Sequence, residues 1–372
     1  MKAMIPVENG ETLAAVQGFL QALLEKGVVE ALLIPMRTPV GAVTPALVSN
    51  PELLTAADPL APVMPSNAAT WVGKLSIREP RAKVGAVLRS CELRALIELV
   101  KLQQASTDDL MLIAVDCVGT YEVPEYQRQV AGDSGTKGME LWRGLYQNAA
   151  AGPEALDPKV RLACRICEQP VYEGADITIE LLGSDLDRGV YVSLPEDLGG
   201  KLGLSGIEPS DRTGIVEKLV AARTAARDAE FAAIRERLEG DEGLIGVFDA
   251  CVRCHNCMTV CPICYCKTCV FKSPVFDHEP MQYIGWAKQK GAYRMPADTS
   301  LFHLTRLNHT GLSCVGCGMC TQACPAELPV GVVFRAIGQR LQDTFEYAPG
   351  RSVEEPLPLI TFKEDEWTEL GE

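Results

Sequence analysis

A chain of 372 residues, 47% hydrophobic and 23% charged, has the length for two or three domains and the composition of a folded protein, which excludes a disordered tail. Its formal charge of -14 argues against a nucleic-acid surface, which would need clustered Lys and Arg. Fifteen cysteines follow an opening, Met-Lys-Ala-Met-Ile-Pro, without the regions of a secretory signal; this predicts a reducing cytoplasm and metal ligation rather than disulfides, and no apolar run reaches the roughly eighteen residues of a bilayer span.

In chain order, Leu13, Val16, Leu20 and Leu23 predict a helix over 10–27 closed by Gly27, and Val28 to Met36 predicts a strand from which Arg37-Thr38-Pro39 turns the chain away. Lys83 to Leu88 is a second strand, Glu92 to Leu102 a helix and Leu110 to Val115 a third strand. This alternation predicts an α/β fold with a largely parallel sheet, which places ligands at the carboxyl ends of its strands. At those ends stand Arg89-Ser90-Cys91-Glu92-Leu93-Arg94, a helix start suited to an anion, and Asp116-Cys117. Together with Cys164-Arg-Ile-Cys167, the single cysteines Cys91 and Cys117 form a candidate ligand set for a 4Fe-4S cluster; buried structural cysteines are the alternative. No strand is followed by Gly-x-Gly-x-x-Gly.

Beyond the glycines near 200, residues 211–238 carry Ile215, Leu219, Ala222, Phe231 and Ile234 at helical spacing, predicting a long connecting helix. Two cysteine runs follow: Cys251, Cys254, Cys257 and Cys261-Pro262, then Cys314, Cys317, Cys320 and Cys324-Pro325. In the bacterial ferredoxin run three thiolates hold one cubane and the fourth, before proline, crosses to the other. Cluster A would thus take Cys251, Cys254, Cys257 and Cys324, and cluster B Cys314, Cys317, Cys320 and Cys261. Zinc or disulfides would leave the paired prolines unexplained. Twelve of the fifteen cysteines are then assigned; Cys264, Cys266 and Cys269 read as reserve or structural thiols, or as ligands of another metal with His255 or His278. His303, Arg306 and His309 are expected on roughly one helix face before cluster B. A helix over 330–341 ends this part, and an acidic tail with Phe362 and Trp367 reads as solvated or laid along a neighbour. The expected division is 1–205 for the α/β domain, 206–245 for the connector, 246–345 for the ferredoxin-like part and 346–372 for the tail.

The series Thr44-Pro45-Ala46, Pro65-Ser66-Asn67, Val87-Leu-Arg-Ser-Cys91-Glu92-Leu93, Val115-Asp-Cys117 and Cys164-Arg-Ile-Cys167-Glu-Gln-Pro resembles the beta subunits of coenzyme F420 hydrogenases and F420-dependent formate dehydrogenases, over roughly residues 10 to 200. The resemblance implies FAD and a 4Fe-4S cluster in the α/β domain. Flavin contacts are expected from Thr44, Ser66, Asn67, Lys74, Arg89 and Ser90, backed by Arg37. Two positions depart from the family pattern: Arg89-Ser90 replaces a small Thr-Pro pair, and Gln169 stands where an acid is usual. The ferredoxin-like runs also follow the α/β domain here, where the hydrogenase subunit carries them first. The function so implied is a flavin iron-sulfur oxidoreductase subunit passing electrons between F420 or NAD(P)H and a partner subunit of hydrogenase, formate dehydrogenase or heterodisulfide-reductase-like type. Its rivals are a flavin-free relay and a self-contained ferredoxin-dependent flavin reductase of an organic substrate.

Overall fold

In a computed structural model, residues 1–77, 82–151, 157–208, 212–241, 243–293, 298–358 and 360 are described. The first half runs β1 Lys2–Pro6, α1 Thr12–Glu25, β2 Ala31–Arg37, β3 Val43–Val48, α2 Ala69–Ser76, β4 Val84–Arg89, α3 Ser90–Lys101, β5 Leu110–Val115, α4 Val123–Val130, α5 Thr136–Ala151, α6 Leu162–Arg165, β6 Ile177–Glu180, β7 Gly189–Ser193 and α7 Glu196–Leu202. The second half is helical: α8 Thr213–Glu239, α9 Gly243–Val247, α10 Asn256–Thr259, α11 Pro280–Lys290, α12 Thr299–Thr310, α13 Met319–Gln322 and α14 Val330–Thr344.

The strands form one seven-stranded sheet in the order β1-β7-β6-β5-β4-β2-β3. Its centre, β2, β4, β5 and β6, is parallel, while β1, β3 and β7 run antiparallel to their neighbours. The sheet is therefore mixed around a parallel core. All six residues of β4 are buried, as expected of a strand covered on both faces. Successive side chains divide between two cores. Leu32, Ile34, Val87, Ile113 and Val115 face the layer holding α1, α4 and α5, and Leu33, Ala86, Leu88, Leu112 and Ala114 face α2 and α3. Ile263 and Val315, from the cysteine-rich half, join this second core, so that half sits against the sheet's α3 face.

Arg37-Thr38-Pro39 does not turn the chain away from the sheet. The Thr38 N–H donates to Ala42 O at 2.7 Å and Gly41 takes φ +81°, closing a hairpin into β3. Pro45 is accommodated because β3 is an edge strand, where a missing N–H costs no ladder bond.

α8 braces the two halves through polar side chains. Arg223 donates to Cys117 O at 3.4 Å, Arg227 pairs with Glu168 at 3.6 Å, and Arg235 donates to Ala336 O at 2.9 Å. Its predicted start, Asp211, lies outside the described residues. The chain after α14 returns to α3: Tyr347 Oη donates to Glu98 at 2.5 Å, Gly350 N donates to the same carboxylate at 2.7 Å, and Arg94 Nε donates to Pro349 O at 2.9 Å. The later tail, with Phe362 and Trp367, lies outside the described residues.

Candidate functional site: three thiol quartets and a cleft

The two ferredoxin-type loops share one backbone shape built from different residues. Gly316 and Gly318 both take φ +72°, and the equivalent positions of the first run, Arg253 and His255, take φ +54° and +58°. A side chain in that region costs about 1–2 kcal/mol, so the first loop needs anchors. Arg253 has one in an ion pair with Asp298, and His255 stacks on Phe302 with ring centroids 4.7 Å apart.

Each loop gathers its thiols in the crossed arrangement. Cys251 has Cys324 and Cys254 within electrostatic reach, and Cys257 has Cys251, Cys254 and Cys324. Cys314, Cys317 and Cys320 all neighbour Cys261. These last four line one largely apolar cavity with Ile263, Val315 and Phe334. Gly331 keeps that cavity open, since a Cβ there would come 2.8 Å from Thr321 Oγ1 and 3.5 Å from Cys320 Sγ. As free thiols these groups resist ionisation: burial, with Cys261 adding like charge, pushes Cys317 up to about 12. Bound to iron they would be thiolates, so the quartets suit a cationic partner that offsets this cost.

The third set also assembles. Cys91, in the first turn of α3, neighbours Cys117 and Cys167, and Cys117 neighbours Cys164 and Cys167. Burial pushes Cys117 up to about 11. Cys164 differs: burial raises it, but Arg161 and the Thr120 hydroxyl outweigh burial and leave it below the usual thiol value. Thr120 Oγ1 lies 3.3 Å and Arg161 Nη2 3.5 Å from Cys164 Sγ. Among the described residues, no three Cys, His, Asp or Glu side chains converge on one metal-ion position. The quartets are thus looser than a single zinc ion, with bonds of about 2.3 Å, would require.

The quartets are adjacent. Cys91 neighbours Cys317 of the second run, and Ala163, beside Cys164, packs directly against Gly318. Arg161 bridges the two segments, donating to Gln322 Oε1 at 3.2 Å, and Arg335 does the same from α14, donating to Glu168 Oε2 at 2.6 Å and Ile166 O at 2.7 Å.

α12 serves both ferredoxin-type quartets: Arg306 and Thr310 line the cavity of Cys261, Cys314, Cys317 and Cys320, and the same helix reaches the Cys251 quartet. Arg306 Nη1 donates to Cys257 Sγ at 3.2 Å, and His303 Nε2 lies 3.4 Å from Cys251 Sγ. Burial, with Arg306 and His255 adding positive charge, holds His303 down at about 4, so its ring is neutral. His309 is exposed, because six residues rotate a helix by about 240° relative to His303 and place the two on different faces. Of the extra cysteines, Cys264 lies near Cys261 and Arg306, Cys269 packs on Met258 at 3.7 Å, and Cys266 is exposed.

The residues expected to touch a flavin are dispersed. Thr44 is exposed on β3, two residues beyond the hairpin. At the start of α2, Asn67 Oδ1 accepts from Ala69 N and Glu92 Oε1 from Ala68 N, both at 3.0 Å, so these amides already have partners. Ser66 accepts from Trp71 Nε1 at 3.3 Å, and Lys74 lies over the Trp71 ring at 4.7 Å. Arg89 turns inward, donating to Ala61 O at 2.7 Å, and Ser90 is buried beside it. Arg37 alone of these residues lines a large cleft, about 850 Å³, at the carboxyl end of β2 between the Thr38–Ala42 hairpin and the Gly132–Gly135 turn.

Behind this cleft sequence reasoning missed a buried polar group. Asp58 lies 4.0 Å from Arg37 and near Arg89 and Tyr126, and the Tyr126 hydroxyl has no hydrogen-bond partner among the described residues. A lone Asp in Ala-Ala-Asp-Pro carries no sequence signal of burial. Arg161 did leave one, as a cation three residues before a Cys-x-x-Cys pair. Burial, opposed by Arg37, raises Asp58 from 3.8 to about 6. A raised carboxyl favours the fold when protonated, so its contribution is complete below 3.8 and is lost as pH climbs through 6, by about 3 kcal/mol. Asp58→Asn should therefore flatten the fall in stability between about pH 4 and 6, read from unfolding midpoints of wild type and variant. Parallel pH profiles would show the carboxyl is not buried in this way.

The chain thus carries one thiol quartet at the carboxyl edge of a mixed α/β sheet, beside two more in the cysteine-rich half. The chain resembles, over nearly its whole length, the F420-dependent formate dehydrogenase beta subunits. It is 25% identical to that subunit from Methanocaldococcus jannaschii, with 95% of each chain covered. It is 24% identical to F420-dependent formate dehydrogenase 1 subunit beta from Methanococcus maripaludis, covering 95% of this chain and 94% of that one. A chain of the F420-reducing [NiFe] hydrogenase complex from Methanosarcina barkeri aligns with TM-score 0.45 and 11% identity, over 65% of this chain and 94% of that one. No protein-family profile matches the sequence.

Proposed function

We propose that the chain is a flavin and iron-sulfur oxidoreductase subunit that passes electrons between a hydride carrier, F420 or NAD(P)H, and a partner redox protein. The observation that carries this reading is the unbroken series of thiol quartets, in which Cys91 of the first faces Cys317 of the second. In this reading Cys91, Cys117, Cys164 and Cys167 hold one 4Fe-4S cluster, Cys314, Cys317, Cys320 and Cys261 the next, and Cys251, Cys254, Cys257 and Cys324 the outermost. Bound FAD would convert two-electron hydride chemistry to single electrons, and cubanes would carry those electrons singly.

The chain's own groups would tune the first and the outermost stations. Arg161 and Thr120 at Cys164, and Arg306 at Cys257, donate toward sulfur and disperse its negative charge, which favours the reduced form of a bound cluster. Arg335 and Glu168 fix the seam between the first two quartets. For FAD the β2 cleft fits in size, and Arg37 would supply a cation for its diphosphate, a different mode from a Gly-x-Gly-x-x-Gly strand end. The names of the relatives favour F420 as the hydride carrier.

The test is anaerobic iron, sulfide and flavin quantitation on one sample, followed by reduction with F420H2, NADPH and NADH. The expected result is about twelve irons and one FAD per chain, with F420H2 the fastest reductant. About eight irons and no flavin would leave a flavin-free relay, and no reduction by any hydride carrier would overturn the proposed role of the cleft.

A further inference from the structure

Between the two cysteine runs the chain inserts a segment that buries almost nothing. α11 has no buried residue; it is held by its own aromatic group, in which Trp286 lies 5.0 Å from His278 and 5.5 Å from both Tyr283 and Tyr293. Its other face is bare: Met281 is 69% and Ile284 45% exposed, and Lys288 continues the same stripe at i, i+3 and i+7. The segment is also basic within an acidic chain. Residues 262–293 contain four lysines, Lys267, Lys272, Lys288 and Lys290, against two acids, while the whole chain has a charge of -14. All four lysines are exposed.

The segment is anchored to the outermost quartet. Phe271 packs on Phe302 at 5.1 Å, Phe302 stacks on His255 between Cys254 and Cys257, and Cys269 rests on Met258. Among the twelve cysteines of the three quartets, Cys254 alone is exposed. A basic, partly apolar face therefore stands beside the quartet that opens to solvent. Against a whole-chain charge of -14, this locally basic face is suited to attract an acidic partner.

We infer that the insertion, through Lys272, Lys288, Lys290, Met281 and Ile284, is the docking surface for a small acidic one-electron carrier protein of the iron-sulfur class, which exchanges electrons with the cluster at Cys254. The balance is simple: one electron leaves the reduced carrier and enters that cluster, or the reverse, with no bond made or broken. This deepens the function proposed above and rests on its assignment of the Cys251 quartet. Lysines set the encounter rate and its salt dependence, while the apolar stripe sets the lifetime of the complex.

The experiment mixes the iron-loaded full chain with a prereduced acidic 2[4Fe-4S] ferredoxin in an anaerobic stopped-flow at low and high salt. For wild type the second-order rate should be fast and fall steeply with salt. Lys272→Glu/Lys288→Glu/Lys290→Glu should lower the low-salt rate at least about tenfold and flatten its salt dependence, with iron content unchanged. Met281→Ser/Ile284→Ser should weaken binding of the oxidised ferredoxin several-fold and keep the salt slope. Equal rates in wild type and charge-reversed protein, both fully loaded, would overturn the inference, as would self-association of wild type through this stripe in light scattering. Loss of about four irons in wild type itself would instead remove the cluster assignment on which it rests.

Discussion

Cys91→Ser/Cys117→Ser is expected to remove about four irons per chain and leave about eight, with the ferredoxin-type quartets intact. Serine keeps the shape of the first turn of α3 and of the residue after β5, but replaces two thiolates with hydroxyls that are not ionised at neutral pH. The remaining thiols, Cys164 and Cys167, come from a single short segment around α6 and cannot hold a cubane from two corners. The variant should still be reducible chemically at its two other clusters, yet lose reduction by F420H2, because in the proposed electron path the removed station comes between the β2 cleft and Cys317. Cys266→Ser is the control: its side chain is exposed and outside every quartet, so iron should stay at about twelve. Retention of twelve irons by the double variant would mean that these cysteines pack as small hydrophobes, the alternative reading of their spacing.

Gly318→Ala should be among the most damaging single methyls added to the chain. Gly318 has φ +72°, and its Cβ would land on Ala163, the residue before Cys164. Left-handed strain and overpacking in a rigid contact each cost about 1–3 kcal/mol, so a loss of about 2–5 kcal/mol is expected, visible as a large fall in denaturation midpoint. Gly144→Ala provides the contrast. It lies within α5 with nothing within 4 Å of the new methyl, and should be neutral or stabilising by up to about 1 kcal/mol. A Gly318→Ala protein as stable as the Gly144→Ala protein would mean that the two cysteine-bearing segments are not pressed together.

The sequence announced the central elements well because hydrophobic runs and helical stripes dominate them. Leu110–Val115 was legible to the residue, and β4 and α3 to within one or two. The strands flanking the parallel core were not. β3 contains Pro45, β1 begins at Lys2, and β7 begins at Gly189, so propensity argued against each while pairing with a neighbour decided the outcome. The ferredoxin-type cysteines were legible because spacing and proline fix their geometry locally. The order of the quartets was not, since only tertiary packing brings Cys91 to Cys317 and leaves Cys254 outward. Flavin contacts were the least legible, because a cap such as Asn67 and a phosphate-binding amide use the same residue types.

The return of the chain from α14 to α3 gives the molecule a closed mechanical circuit. Covalent continuity joins the halves once, through α8; the Glu98 carboxylate, holding Tyr347 and Gly350, joins them a second time from the far end, and Arg94 ties that same helix to both Pro349 and Val315. A body fastened at two separated points loses its hinge. The intervals between the quartets are thereby a built-in dimension of the chain, already set before any partner arrives, and α3 acts as the common keystone that carries Cys91 on one end and the latch on the other.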